Sequence, residues 1–200
     1  YIDQSLKPLP AATKDIQAVE TVLRYPNMGG FDDVQILPNP ERQLMEESIE
    51  ALFRSRSRDD VLLLYFSGHG IKDDSGKLYF ATRTTRKDAI RSTAVSASFV
   101  HEVMNDSRSK RQVVILDCCF SGAFAKGMRT KDDQSVDVRA QLGGEGRALL
   151  TSSTAMEYSF EQQGQDLSLY TFHLVNGIWT GEADLNRDGW ISVLDLYQYT

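Results

Sequence analysis

The sequence is poor in cysteine, lacks a long hydrophobic run and carries no excess of positive charge. Its two cysteines, Cys118 and Cys119, are adjacent, whereas a relaxed disulfide needs two well-separated Cα atoms. Thiols without a disulfide framework predict a reducing compartment such as the cytoplasm. No apolar run approaches the about 18 residues that span a bilayer. The net charge of −6 argues against a nucleic acid or an anionic membrane as the partner.

The 200 residues suit one domain, 1–200, in which apolar runs alternate with helical patterns. Buried strands are predicted at Val34–Leu37, Val61–Phe66, Leu78–Ala81, Val113–Leu116 and Ala148–Thr151. Helical stripes begin at Ile16, Leu44, Phe99 and Leu169; the second is predicted to open with Asn39 as N-cap and Pro40 as first helical residue, and the last to close at Gly181. This alternation predicts an α/β fold with a mostly parallel central sheet and helices on both faces.

Two motifs that can carry chemistry directly follow two of these strands. The first is Ser67-Gly68-His69-Gly70, and the second is Asp117-Cys118-Cys119-Phe120-Ser121-Gly122. Parallel α/β sheets place active sites at the carboxyl ends of strands, so the histidine and the cysteine are expected to meet if the two strands are neighbours. An imidazole can take the proton of a thiol and later donate one to a departing amine, which predicts nucleophilic catalysis by cysteine.

Cys119 is predicted to be the nucleophile and His69 its base. Side chains alternate in an extended chain, so Asp117 and Cys119 should project to one side. Cys118 should then face the sheet interior as a small hydrophobic residue. The backbone N–H groups of Gly70 and Cys119 are candidates for an oxyanion hole, in which one donor is worth about 3 kcal/mol. Taken singly, either motif is more often structural than catalytic.

Both motifs resemble the catalytic motifs of the caspase-like superfamily, and the second resembles the Asp-x-Cys-x-Ser-Gly form of metacaspases and their bacterial relatives. Caspases proper have Gln where this chain has Asp117. The resemblance runs from Leu9 to Tyr197 and implies a caspase–haemoglobinase fold. It also implies proteolysis by Cys119 and His69, whose spacing of 50 residues is similar to that of caspases. Such relatives usually have a central strand ahead of the position of Tyr1, so a first core strand is expected outside this numbering.

The same resemblance implies an acidic substrate pocket made by Asp15, Asp117 and Glu161. Carboxylates in one pocket repel one another, and a guanidinium or an ammonium relieves that repulsion while forming charge-assisted hydrogen bonds. The expected substrate is therefore a peptide or protein with Arg or Lys before the scissile bond. Bacterial relatives are often one module of a larger signalling or defence protein, so further domains or partner proteins are expected to take part in activation.

Residues 123–147 are polar and are predicted to form a long, mobile loop of the intersubunit kind. Its basic residues are candidate sites of self-cleavage: Lys126, Arg129, Lys131, Arg139 and Arg147.

A last motif has the spacing of an EF-hand calcium loop. Its candidate ligands are Asp184, Asn186, Asp188, Trp190 and Asp195, with Gly189 at loop position 6. The final ligand is Asp where EF-hands use Glu, and the preceding helix should end early, at Gly181. The alternative is a polar turn stabilised by its Asp and Asn side chains. The peptidase chemistry requires no cofactor, so calcium is a candidate structural ion.

Two other classes of function stay open. An inactive caspase-fold module could act as a binding scaffold, although the chain retains both His69 and Cys119. A cysteine hydrolase acting on non-peptide amides would use the same pair. A Cys119→Ala variant that matches the wild-type protein in every peptide assay would favour the scaffold.

Overall fold

The computed structural model describes residues 1–118, 120–122, 138–152 and 166–200. The helices are α1 (Pro10–Arg24), α2 (Arg42–Phe53), α3 (Ile90–Thr93), α4 (Ala97–Asp106), α5 (Val138–Leu142), α6 (Leu169–Thr180) and α7 (Val193–Tyr199), and a 3-10 turn covers Lys87–Ala89. The strands are β1 (Val61–Ser67), β2 (Gly70–Lys72), β3 (Leu78–Phe80), β4 (Val95–Ser96), β5 (Arg111–Asp117), β6 (Phe120–Gly122) and β7 (Arg147–Thr151).

A parallel sheet in the order β1-β5-β7 lies at the centre of the described part of the chain. β1 and β5 stay in register from Val61 opposite Arg111 to Ser67 opposite Asp117. The prediction of a parallel sheet is confirmed. Its physical basis is the continuous apolar character of β1 and β5, which suits a strand that is covered on both faces.

Helices cover both faces of this sheet, as predicted. On one face, residues of β1 and β5 pack against α2 and α4 in a cluster that includes Leu62, Val114, Leu116, Met45, Ile49, Phe53, Val100 and Met104. On the other face, Ile115 and Leu150 pack against Val19 of α1 and Leu174 of α6. The apolar stripes of these four helices therefore find the partners that their periodicity requires.

A second sheet, in the order β4-β3-β2-β6, was not predicted as a separate unit. It is mixed, because β2 pairs antiparallel with β3 and parallel with β6. The chain passes into it from β1 through Gly68 and His69. A Cβ on Gly68 would lie 2.8 Å from Cζ of Phe66, whose ring packs against that of Phe80. The tight passage between the two sheets therefore favours glycine.

The predicted strand at Val34–Leu37 is wrong, because these residues belong to no ladder in the described chain. The carbonyl oxygen of Val34 accepts a hydrogen bond from the guanidinium of Arg24. A cavity of about 520 Å³ is lined both by this segment and by β1. An apolar run predicts burial, but a strand also needs an adjacent strand, and none of the described strands pairs with this segment.

The start of α2 also differs from the prediction. Asn39 has a φ of 50°, in the left-handed region, and the helix begins at Arg42 with Glu41 as N-cap. The carbonyl oxygen of Pro40 accepts from the backbone N–H of Arg83 at 2.9 Å, which holds this residue in the loop. The predicted end of α6 is confirmed, because Gly181 is its C-cap with a φ of 78°.

The prediction of a loop over residues 123–147 is wrong at its end, because α5 covers Val138–Leu142 and β7 begins at Arg147. Arg139 is exposed on α5. Arg147 is built into the fold, because its guanidinium donates to Asn105 Oδ1 at 2.7 Å and to Gln112 Oε1 at 3.0 Å. Arg147 is therefore unsuited to cleavage. Lys126, Arg129 and Lys131 lie outside the described residues.

Candidate active site

The carboxyl ends of β1 and β5 lie side by side, as the two motifs predicted. Ser67 and Asp117 form the last pair of the ladder. The backbone N–H of Gly68 donates to the carbonyl oxygen of Asp117 at 3.3 Å. Beyond this point, Gly70 of β2 lies opposite Phe120 of β6. The residues on both sides of His69 are thus paired with residues on both sides of position 119.

His69 is half-buried, and its Nε2 lies 2.8 Å from the carbonyl oxygen of Lys7. A carbonyl oxygen only accepts, so Nε2 carries the hydrogen, and Nδ1 of the neutral ring is the nitrogen able to take a proton. Burial lowers the pKa of His69 below its usual value of 6.5. The ring is therefore neutral near pH 7, which is the form that a general base requires.

The backbone and ring of His69 are held from several sides. Its N–H donates to the phenol oxygen of Tyr1 at 3.3 Å, and its carbonyl oxygen accepts from the N–H of Ala81 at 2.9 Å. The ring centroids of Tyr1 and His69 are 5.0 Å apart. These contacts limit the orientations that the imidazole can adopt.

Of the two adjacent cysteines, the structure describes Cys118 and leaves Cys119 outside the described residues. Cys118 is 4% exposed and belongs to the core cluster on one face of the parallel sheet, which confirms its predicted place in the sheet interior. Cys119 lies outside the described residues. Its role as nucleophile stays a prediction, as does the oxyanion role of its N–H and of Gly70, a buried residue of β2.

Asp15 is 1% exposed, although it is a charged residue near the start of α1. Its Oδ2 accepts from the hydroxyl of Ser67 at 2.9 Å, and its Oδ1 accepts from the backbone N–H of Ser168 at 2.9 Å. Burial raises the pKa of Asp15 to about 6, the nearby charge of Asp117 raises it as well, and the hydrogen bonds oppose both effects. Asp15 therefore changes charge within the range of ordinary assay pH.

Asp117 is only half-buried, and its Oδ2 accepts two hydroxyl hydrogen bonds. One comes from Ser168, and the other comes from Thr171 at 2.6 Å. The hydroxyl of Tyr65 is in turn hydrogen-bonded to that of Thr171. Burial raises the pKa of Tyr65 well above 10, and the charges of Asp117 and Asp15 raise it further. The tyrosine is therefore a neutral member of this network.

The structure thus brings together two of the three residues predicted for an acidic pocket. Asp15 and Asp117 share Ser168 as a hydrogen-bond partner, and Glu161 lies outside the described residues. The sequence analysis missed Ser168 and Thr171. A signal for Ser168 was present, since a serine directly before the apolar stripe of α6 is typical of an N-cap.

A sequence model of the caspase domain matches residues 1–198. The chain belongs to the caspase-domain family. This is a family of cysteine peptidases, and the α/β fold with its parallel sheet between helices agrees with that membership. The comparison with curated proteins returned no match.

In the predicted calcium loop of this caspase domain, candidate ligand side chains form hydrogen bonds within the loop itself. Asp184 accepts from the N–H groups of Asp188 and Gly189 at 3.2 and 2.9 Å. Asp195 belongs to the capping box of α7, whose N-cap is Ser192: its carboxylate accepts from the N–H and the hydroxyl of Ser192. Asn186 donates to Asp188, and Trp190 is 79% exposed.

No group of three His, Cys, Asp or Glu residues is arranged to hold a metal ion in the described chain. The geometry is that of the alternative, a polar turn, and calcium binding stays a prediction. None of the helices in the described ranges has the length and apolar character needed to cross a bilayer.

Proposed function

We propose that this caspase domain is an endopeptidase that cleaves on the carboxyl side of Arg or Lys, with Cys119 as nucleophile and His69 as base. The observation that carries the proposal is the meeting of the two motifs. The ladder pairs Ser67–Asp117 and Gly70–Phe120 bracket the histidine and the cysteine positions on two adjacent chain segments.

The state of His69 supports its role in this chemistry. The oriented, neutral imidazole takes the thiol proton at Nδ1, and the thiolate attacks the carbonyl carbon of the scissile bond. The imidazolium then protonates the amine as the C–N bond breaks, which leaves a thioester on Cys119. Water, deprotonated by the neutral ring, hydrolyses the thioester, releases the carboxylate product and restores the thiol.

The preference for a basic residue is supported by two neighbouring carboxylates, Asp15 and Asp117, called the acidic pair below. Asp117 is half-buried at the end of β5, two residues before Cys119, and Asp15 lies behind it. A cation placed at Asp117 relieves the repulsion between the two carboxylates, whereas a substrate Asp would add a third negative charge. Glu161 is proposed to belong to the same pocket. The substrate is therefore a peptide or protein segment with an accessible Arg or Lys.

Fluorogenic peptides that differ only in the residue before the scissile bond test this function. We expect Arg and Lys peptides to be cleaved and an Asp peptide to be left intact. Cys119→Ala and His69→Ala should abolish cleavage, while Cys118→Ala is the matched control that removes the neighbouring thiol and keeps activity. Preferential cleavage after Asp would contradict the acidic pocket. Activity that survives in Cys119→Ala would contradict the assignment of the nucleophile.

A further inference from the structure

We infer that Ser168 is a positioning residue that holds the acidic pair and thereby sets the preference for Arg over Lys. This inference rests on the proposed function, and it adds to that function a residue from a distant part of the chain.

Ser168 contacts both carboxylates through different atoms. Its backbone N–H donates to Oδ1 of Asp15 at 2.9 Å, and its hydroxyl donates to Oδ2 of Asp117. The same hydroxyl oxygen accepts from the N–H of Thr171 at 3.1 Å, as expected of the N-cap of α6. A hydroxyl has one hydrogen and two acceptor lone pairs, so it can cap the helix and bind Asp117 at the same time.

These bonds fix the orientation of the Asp117 carboxylate. Its Oδ2 receives hydroxyl hydrogens from Ser168 and Thr171, and within the described residues no hydrogen bond reaches Oδ1. Of the two oxygens, Oδ1 is therefore the one that the described residues leave for a substrate. A guanidinium forms paired, directional hydrogen bonds, whereas an ammonium acts as a point charge with rotatable donors. Loss of the fixed orientation should thus harm Arg more than Lys.

Among the residues that the structure describes, the charged and titratable neighbours of the pair lie on β1, β5, α1 and α6, where Tyr170 faces Asp117, and just before α6. Asp15 faces Asp117 of β5 and the phenol of Tyr65 of β1. Lys14, beside Asp15 on α1, pairs with Asp166 just before α6. The hydroxyl of Ser168 also lowers the pKa of Asp15, so its removal should move that pKa further above about 6.

The chain offers a matched control for this side chain. Ser96 is the N-cap of α4 and accepts from the N–H of Phe99 at 3.1 Å, the same capping bond that Ser168 makes to Thr171. Ser96→Ala therefore removes an equivalent cap outside the acidic pair. Ser168→Thr keeps a hydroxyl at the position and serves as the conservative variant.

The experiment compares steady-state kinetics of the wild-type protein, Ser168→Ala, Ser168→Thr and Ser96→Ala on Arg and Lys peptides. In Ser168→Ala we expect KM for the Arg peptide to rise about fivefold to tenfold with kcat little changed. The ratio of kcat/KM between Arg and Lys peptides should fall, and the acidic limb of the pH profile should move to higher pH. Ser168→Thr should restore these values, and Ser96→Ala should leave all of them unchanged.

A loss in kcat alone, or equal losses in Ser168→Ala and Ser96→Ala, would overturn the inference. If the wild-type protein cleaves neither peptide, the proposed function fails. The positioning role of Ser168 is then tested by a titration that needs no catalytic activity. In a Cys119→Ala background, the Asp15 carboxyl is titrated by carbon NMR with and without Ser168→Ala. An upward shift supports the positioning role, and an unmoved midpoint overturns it.

Discussion

The substitution Asp15→Asn should stabilise the protein at neutral pH while weakening its action on Arg peptides. Burial raises the pKa of Asp15 from 3.8 to about 6, so the folded state takes up the proton more readily than the unfolded chain does. Each pKa unit corresponds to 1.36 kcal/mol, so holding this carboxylate ionised costs the folded state about 3 kcal/mol above pH 7. The substitution removes that cost.

An asparagine can keep both hydrogen bonds. Its Oδ1 accepts from the N–H of Ser168, and its Nδ2 can donate to the hydroxyl of Ser67, which turns to accept. We therefore expect Asp15→Asn to raise the free energy of unfolding at pH 8 by up to about 3 kcal/mol. In a domain of this size, that corresponds to several degrees in Tm.

The pH dependence follows from the sign of the shift. Because the folded pKa is the higher one, the contribution of Asp15 to stability is fully present below pH about 4 and is lost as the pH rises through about 6. The advantage of Asp15→Asn should accordingly shrink from pH 8 to pH 5. Urea unfolding at these two pH values, in a Cys119→Ala background, measures it. Asp59→Asn, at an exposed carboxylate, is the control.

A stability difference that is the same at both pH values would refute the reasoning, as would a variant that is less stable at pH 8. The opposite effects on stability and on Arg cleavage would identify Asp15 as a residue kept for function at the expense of stability.

Three further outcomes follow from the structure. Overnight incubation of active protein should give products cut within 123–137. No product should be cut after Arg147, because its guanidinium is hydrogen-bonded within the fold. Intact mass spectrometry identifies the products, and a cut after Arg147 would contradict this prediction. Gly177→Ala should lower Tm by several degrees, because a Cβ at this position would lie 2.4 Å from Cε1 of Tyr199. An unchanged melting curve would argue against this packing of α6 on α7. Calorimetric titration with calcium chloride tests the candidate loop: heat of binding that Asp184→Ala removes supports calcium, and a flat titration of the wild-type protein contradicts it.

The sequence was sufficient to predict those features that depend on local pattern. The apolar runs of β1 and β5 required burial on both faces, and the motifs that follow them had to meet once these strands paired in parallel. The prediction of a strand at Val34–Leu37 was wrong because hydrophobicity does not specify a neighbouring strand, and none of the described strands pairs with this run.

The hydrogen-bond partners of the acidic pair could not be predicted from the local sequence pattern. Ser168 lies 51 residues from Asp117 and 153 residues from Asp15 along the chain. The N-cap position of Ser168 could be predicted from the sequence, but its contact with two carboxylates depends on how α6 packs against the sheet and α1. Hydrogen bonds of this kind follow from the tertiary structure and carry no local sequence signature.

The same separation has a consequence for the newly made chain. A ribosome releases Asp15 153 residues before Ser168, so the acidic pair cannot acquire its full set of donors until Ser168 has emerged. Until then, Asp15 can accept from Ser67, while Asp117 lacks the hydroxyl donors of Ser168 and Thr171. The order of synthesis by itself thus delays completion of this hydrogen-bond network until the start of α6 has been made.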